Sequence, residues 1–273
     1  MLNISYFCSQ NSFKMATQLF EDIIFGPIRS RRLGISLGVN LLPTHGKVCS
    51  FDCIYCECGY NSERRGDKRL HTRSEVREAL QHRLSSMKEA GEGLDVITFA
   101  GNGEPTLNPE FEQIISDTIE LRNIYYPNVK ISVLSNATRL MDNSVVRGLK
   151  KVDNNILKLD SAIPETFKLL NAPNSSSYSV NEHIEGLKRF KGDFILQTMF
   201  VRGTHNGVEL DNTTTEEVNA WLEVVKELNP KSIMIYTIDR DTPEKDLQKI
   251  APDEMKAIAS KAEALGYKVS VSC

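Results

Sequence analysis

No stretch of the 273-residue chain is apolar for long enough to cross a bilayer, which takes about 20 residues in a helix. Its opening residues, MLNISYFCSQNSFKM, have neither the basic start nor the continuous apolar core of a signal peptide. A cytoplasmic protein without membrane contact is therefore expected. Charge of one sign is lacking too. Lys and Arg number 33 against 36 Asp and Glu, a net charge of -3 that exerts no overall pull on nucleic acid or anionic lipid. Local basic clusters occur at Ser30–Arg32 and Glu63–Arg69, and each taken alone is expected to be a solvated face or loop. No long Pro-, Ser- or Gly-rich linker divides the chain. The expected organisation is an N-terminal extension over residues 1–24 and one domain over 25–273. Met15 offers a second start, so the first fourteen residues are expected to be poorly ordered or to precede the true one.

From Ile35 onward, short apolar runs alternate with amphipathic segments. The runs are ISLGVNLL, LDVITFAG, VKISVLSN, NILKLDSA, DFILQTMFVRG and KSIMIYTID, with YKVSVS as a candidate last strand. Between them lie helical patterns. In RSEVREALQHRLSSMKEAG, Val76, Leu80, Leu84 and Met87 recur at helical spacing, and Phe111, Ile114, Ile115, Thr118 and Ile119 do so in the next. Further helices are expected near Asp142–Lys150, in VNEHIEGLKRF, in TTEEVNAWLEVVKEL and in PDEMKAIASKAEALG, with a loop at Asn171–Ser179. This alternation predicts an α/β protein with about six parallel βα units. The runs lack period-two alternation, as strands covered on both faces do. Polar signatures end nearly every run, which favours a partial or full (β/α) barrel with its site at the C-terminal strand ends.

Cysteine is scarce: of six, four fall within KVCSFDCIYCECG, at Cys49, Cys53, Cys56 and Cys58. Four close thiols admit several readings. Structural zinc usually takes two ligand pairs separated by a longer span, whereas these four come from one short loop, with His45 and His71 as the only nearby histidines. A disulfide is disfavoured in a reducing compartment. A thioredoxin-like CxxC would use Cys53 and Cys56 but leave Cys49 unexplained. The remaining reading is an iron–sulfur cluster held by thiolates.

The CxxxCxxC spacing, with Tyr55 before the third cysteine, resembles the cluster motif of the radical S-adenosylmethionine (radical SAM) superfamily. The resemblance implies a [4Fe-4S] cluster on Cys49, Cys53 and Cys56, with one iron left open to chelate S-adenosylmethionine (SAM). It further implies a SAM-holding turn after the second strand, matched by Gly101, Asn102, Gly103 and Glu104 in FAGNGEPT. Glycines let the backbone approach a ligand, and a carboxylate accepts from an ammonium. The polar strand ends Ser135, Asn136 and Asp160 are implied contacts for the SAM carboxylate and ribose. Lys158 and Asp160 should point to the same side, either into the barrel or as a buried pair. Gln197, Met199, Tyr236 and Asp239 are further candidates for lining the same cavity.

With GP-x-x-SRRLG-x-SLG-x-N before the loop, the pattern is similar to a subgroup of iron–sulfur oxidoreductases related to wyosine synthesis. The chemistry so implied is reductive cleavage of SAM to methionine and a 5′-deoxyadenosyl radical that abstracts hydrogen from a substrate. A small molecule such as a modified nucleobase is the expected substrate, and an electron donor such as flavodoxin or ferredoxin the expected partner. A tRNA-modifying enzyme, a glycyl-radical-enzyme activase and a zinc-stabilised binding domain without catalysis are the alternatives. Arg29, Arg31 and Arg32 are candidates for a substrate anion or for bracing the barrel floor. Cys58 stays open as a spare ligand, a thiol in the substrate pocket or a packing residue, and Cys8 and Cys273 receive no role.

Overall fold

The computed structural model describes residues 19–30, 33–63 and 69–273. In chain order its strands and α-helices are β1 (Ile24–Ser30), β2 (Gly34–Val39), α1 (Arg73–Glu89), β3 (Val96–Phe99), α2 (Phe111–Tyr125), β4 (Lys130–Ser135), α3 (Asn143–Leu149), β5 (Asn154–Lys158), α4 (Pro164–Asn171), α5 (Val180–Lys188), β6 (Ile195–Met199), β7 (Arg202–His205), β8 (Val208–Asp211), α6 (Thr215–Leu228), β9 (Ser232–Tyr236), β10 (Leu247–Gln248), α7 (Pro252–Glu263) and β11 (Val269–Ser272). Eight strands form one sheet in the order β1-β2-β3-β4-β5-β6-β9-β11. β1 is antiparallel to β2, and every later pair is parallel. β1 and β11 are the two ends of that order, so the sheet is a partial barrel of six βα units.

Local chemistry explains the elements. Thr72 caps α1 by accepting from the Glu75 amide while Glu75 reaches back to the Thr72 amide, a reciprocal box worth about 1 kcal/mol. Val76, Leu80, Leu84 and Met87 are all buried on its inner face. Each such side chain contributes about 1.5–3 kcal/mol on leaving water. Asp142, Ser179 and Thr214 cap α3, α5 and α6 in the same way. Every residue of β3 and β6 is buried, which accounts for their lack of period-two alternation.

Two features depart from the sequence expectations. The run DFILQTMFVRG is not one strand, because Asn212 intercepts its backbone. Its Oδ1 accepts from the Val201 amide at 2.8 Å and its Nδ2 donates to the Met199 carbonyl at 2.7 Å. The chain then leaves the main sheet and forms a three-stranded sheet ordered β10-β7-β8. The second departure is α4, an eight-residue helix that ends where the expected loop begins, with Ala172 in the left-handed region at φ 39°. Among the described residues no helix is long and apolar enough to cross a membrane.

Candidate functional site

The connection between β2 and α1 carries the four thiols, and it lies across the C-terminal strand ends. Its first support is the turn after β3. The Val48 amide donates to the Asn102 carbonyl at 2.8 Å, and the Glu104 amide donates to the Val48 carbonyl at 3.1 Å. Gly103 sits at φ 133°, and a Cβ there would stand 1.9 Å from the Val48 oxygen, so only glycine permits this approach. The second support is the last turn of α4 and the chain just past it. The Asp52 and Ile54 amides donate to the Asn171 and Leu170 carbonyls at 3.0 and 3.1 Å, and the Asn174 amide to the Ser50 carbonyl at 3.0 Å. Asn61 closes the loop from within, accepting from the Cys49 amide at 3.1 Å and donating to the Cys49 and Phe51 carbonyls at 3.2 Å.

Cys49, Cys53, Cys56 and Cys58 face a cavity of about 270 Å³ that also takes lining from the ends of β3, β4, β5, β6 and β9. Tyr55, Gly101, Gly103, Glu104, Ser135 and Asn136 line it, as do Lys158, Gln197, Met199 and Tyr236. The expected SAM-facing residues therefore meet the thiols in one place, except for Asn102 and Asp160. Asn102 does not line the cavity: its side chain turns away to the Phe20 backbone, at 2.8 and 2.9 Å, and to the Pro43 carbonyl at 2.8 Å. Asp160 lies behind the wall, accepting from Tyr55, from Asn171 at 2.7 Å and from the Met199 amide at 2.9 Å. Glu104 does reach the cavity, but its carboxylate already accepts from the Thr106 amide and hydroxyl, the Ser135 hydroxyl and the Asn136 amide, at 2.5–3.0 Å. Three of these donors fall on Oε1 and only the Asn136 amide on Oε2, so Glu104 organises the β4 turn while its Oε2 keeps acceptor capacity.

Of the remaining candidates, Asp239 is paired with Lys249 at 2.8 Å and is not part of the cavity wall. Arg29 is exposed on β1 and borders a separate hollow with Gly34, Ile35 and Asp95, at the opposite end of the sheet. Arg31, Arg32 and Cys8 lie outside the described residues. Cys273 is exposed.

The charges around the thiols are buried. Lys47, 2% exposed, lies beneath the loop and donates to Asp52 at 3.0 Å and to the Gly59 carbonyl at 2.9 Å. Burial pulls its pKa down, but Cys56, Cys49, Cys53 and Asp52 outweigh this and raise it, so Lys47 stays cationic. Lys158 behaves likewise. Burial opposes its charge, and Asp160, at 3.5 Å, leads the groups that hold it on. Its Nζ donates to the Tyr55 and Tyr236 hydroxyls at 2.8 and 3.0 Å and stands over both rings. Burial pushes the Cys49 and Cys53 thiols up. A hydrogen bond from Cys58 draws the Cys56 thiol down to about 6.

This donor set fits an iron–sulfur cluster. The three motif thiols ring one cavity, a buried cation stands behind them, and amide donors reach two of the sulfurs: Asn136 to Cys49 at 3.3 Å and Asn171 to Cys53 at 3.6 Å. Among the described residues no three His, Cys, Asp or Glu side chains are grouped as a single metal ion needs. Lys47, Asn61, Asn171 and Asn174 carried no sequence signal, because the fold brings their partners to them: backbone groups, a sulfur, and the side chains of Asp52, Asp160 and Tyr55.

The comparisons agree with this geometry. The model of the radical SAM superfamily matches residues 44–212. A UPF0026 protein of Synechocystis sp. is 30% identical over 233 residues, which cover 83% of this chain and 78% of the relative. A Brachyspira hyodysenteriae protein named GTPase Obg is 29% identical over 260 residues, which are 93% of this chain but only 35% of that longer protein. A crystal structure of a radical SAM methyltransferase from Sphaerobacter thermophilus shares the fold, with a TM-score of 0.63 at 15% identity over 87% of this chain and 65% of that one. The chain belongs to the radical SAM superfamily, whose cofactors are a [4Fe-4S] cluster and SAM.

Proposed function

We propose that this protein holds a [4Fe-4S] cluster on Cys49, Cys53 and Cys56 and uses SAM to start radical chemistry on a small-molecule substrate. The observation that carries the proposal is the meeting of these three thiols with the β3, β4 and β5 ends around one cavity. When bound, the cluster supplies the electron that cleaves SAM to methionine and the radical that takes hydrogen from substrate. The chain's own residues prepare the place. Lys47 offsets thiolate charge from below, and Gly101 and Gly103 bring backbone to the cavity edge. Lys158, held protonated between Tyr55 and Tyr236, presents a cation suited to a carboxylate. The electron comes from a partner of flavodoxin or ferredoxin class.

The test is anaerobic. The protein is reconstituted with iron and sulfide, given SAM and a strong reductant, and assayed for 5′-deoxyadenosine. Wild type is expected to bind iron and release 5′-deoxyadenosine, and Cys53→Ala to lose at least a hundredfold of that yield. Zinc binding without iron, or an unchanged rate in Cys53→Ala, would overturn the assignment.

A further inference from the structure

Each motif thiol has one donor near it: Asn136 for Cys49, Asn171 for Cys53 and Cys58 for Cys56. The second of these comes from a helix end with no motif. Asn171 is fully buried, and its Nδ2 lies 2.7 Å from Asp160 Oδ2, 3.2 Å from the Tyr55 hydroxyl and 3.6 Å from Cys53 Sγ. Asp160 fixes the sense of the amide, because a carboxylate so close requires the NH2 end and not the carbonyl. One amide proton goes to that carboxylate. The Tyr55 hydroxyl already donates to Asp160 and accepts from Lys158 at 2.8 Å.

We propose that the second amide proton points at Cys53, making Asn171 a positioning residue that raises the reduction potential of the bound cluster. This rests on the cluster reading above. Reduction adds negative charge to a cluster, and an N–H dipole aimed at a ligating sulfur stabilises the more negative state; hydrogen bonds to the sulfurs are among the determinants of such potentials. The site is dry, so the dipole acts with little screening: Cys53 is 8% exposed and Asn171 0%. The donor is also locked in place. The Asn171 carbonyl accepts from Asp52 and the Leu170 carbonyl from Ile54, which brackets Cys53 on both sides.

A second observation points the same way. Asn171 Oδ1 is buried with no hydrogen-bond partner among the described residues. An unsatisfied buried carbonyl costs about 1–3 kcal/mol, which a leucine of similar shape would avoid. Packing alone therefore does not explain an asparagine here, whereas an amide that donates to Asp160 with one proton and to the sulfur with the other does.

The experiment compares wild type, Asn171→Leu, Asn171→Ser and Asn174→Ala as reconstituted holoproteins, with iron counted and the cluster titrated potentiometrically by EPR. Asn171→Leu is expected to keep the wild-type iron content while its reduced fraction at a fixed potential falls about tenfold, a shift of about 59 mV to more negative values for a one-electron couple. Asn174→Ala, which removes a contact to the Cys49 carbonyl and none to sulfur, is expected to leave the potential unmoved. A loaded Asn171→Leu protein at the wild-type potential overturns the proposal and leaves the proposed function standing. If leucine blocks loading, the serine variant decides: it is too short to reach Cys53, so a wild-type potential in it overturns the proposal. Failure of wild type itself to bind iron removes the cluster reading and this inference with it.

Discussion

The two flanks of the cysteine loop hold it by different means. On the β3 flank, backbone meets backbone where Val48 bridges to Gly103, and the Cys58 thiol adds a contact to the Gly101 carbonyl at 3.5 Å. On the α4 flank, side chains do much of the holding: Asn171 reaches Cys53, Asn174 reaches the Cys49 carbonyl, and a buried aromatic group backs them. In that group Phe51, Phe167 and Tyr178 surround His183, with ring centroids 5.2–6.1 Å from it. One flank is thus a matter of space and the other of chemistry. A space constraint fails abruptly when an atom is added, and a chemical one fails by degrees as donors are removed or protons move.

The sharpest way to test the space constraint is Gly103→Ala. A Cβ at 1.9 Å from the Val48 oxygen cannot be relieved by a rotamer change, because the clash is with backbone, and φ 133° is itself unfavourable for alanine. Strain and displacement together are expected to cost on the order of 3 kcal/mol. The variant should show a clear fall in denaturation midpoint and should lose reconstituted iron, because the loop must lift off the turn. Wild-type stability and iron content in Gly103→Ala would mean that the close approach is not required.

This difference between flanks also explains what the sequence could tell. Glycines in close contact with their neighbours and cysteines at ligand spacing leave a local mark, so the meeting of Gly101, Gly103, Cys49, Cys53 and Cys56 at one cavity was legible before the fold was known. The six βα units were legible for a similar reason: residues such as Val76, Leu80, Leu84 and Met87 repeat with the period of the element they build. The α4 flank had no such mark. Asn171 and Asn174 sit in an ordinary turn-forming stretch, and their role exists only because α4 delivers them more than a hundred residues along the chain to the loop. Asn102 and Asp160 are the reverse case. Their place in a motif-like stretch suggested direct contact, but Asn102 serves the N-terminal segment and Asp160 braces Tyr55 and Asn171 from behind.

The chemical flank also carries a buried imidazole that is sensitive to protons. Burial draws the pKa of His183 from 6.5 down to about 4. Its ring is consistent with the neutral form, Nε2 donating to the Lys158 carbonyl at 2.6 Å and Nδ1 accepting from Tyr178 at 3.1 Å. Between pH 6.5 and 4 the unfolded chain binds a proton at this residue that the folded chain refuses, so stability falls as pH drops through that window. The loss between pH 7 and pH 5 is expected to be about 2 kcal/mol from this residue. Other groups add their own pH dependence, so the measurement is a difference: urea unfolding at both pH values for wild type and His183→Gln. The variant should be less pH-sensitive by about that amount. Equal sensitivity would show that the α4 flank does not respond to acid through His183.

Asn174→Ala probes the gentlest part of the same flank. The Asn174 Nδ2 donates to the Cys49 carbonyl at 2.7 Å from an exposed position, and that carbonyl also accepts from Asn61 at 3.2 Å. Water can replace the lost donor, and the remaining bond keeps the carbonyl satisfied, so the cost should stay near or below about 1 kcal/mol. The backbone bond from the Asn174 amide to the Ser50 carbonyl survives the substitution, which leaves the course of the chain unchanged. A small drop in midpoint with full iron loading is therefore expected from thermal unfolding and metal analysis. A large drop would mean that this one exposed amide carries the α4 flank, and that the division between an all-or-none flank and a graded one is wrong.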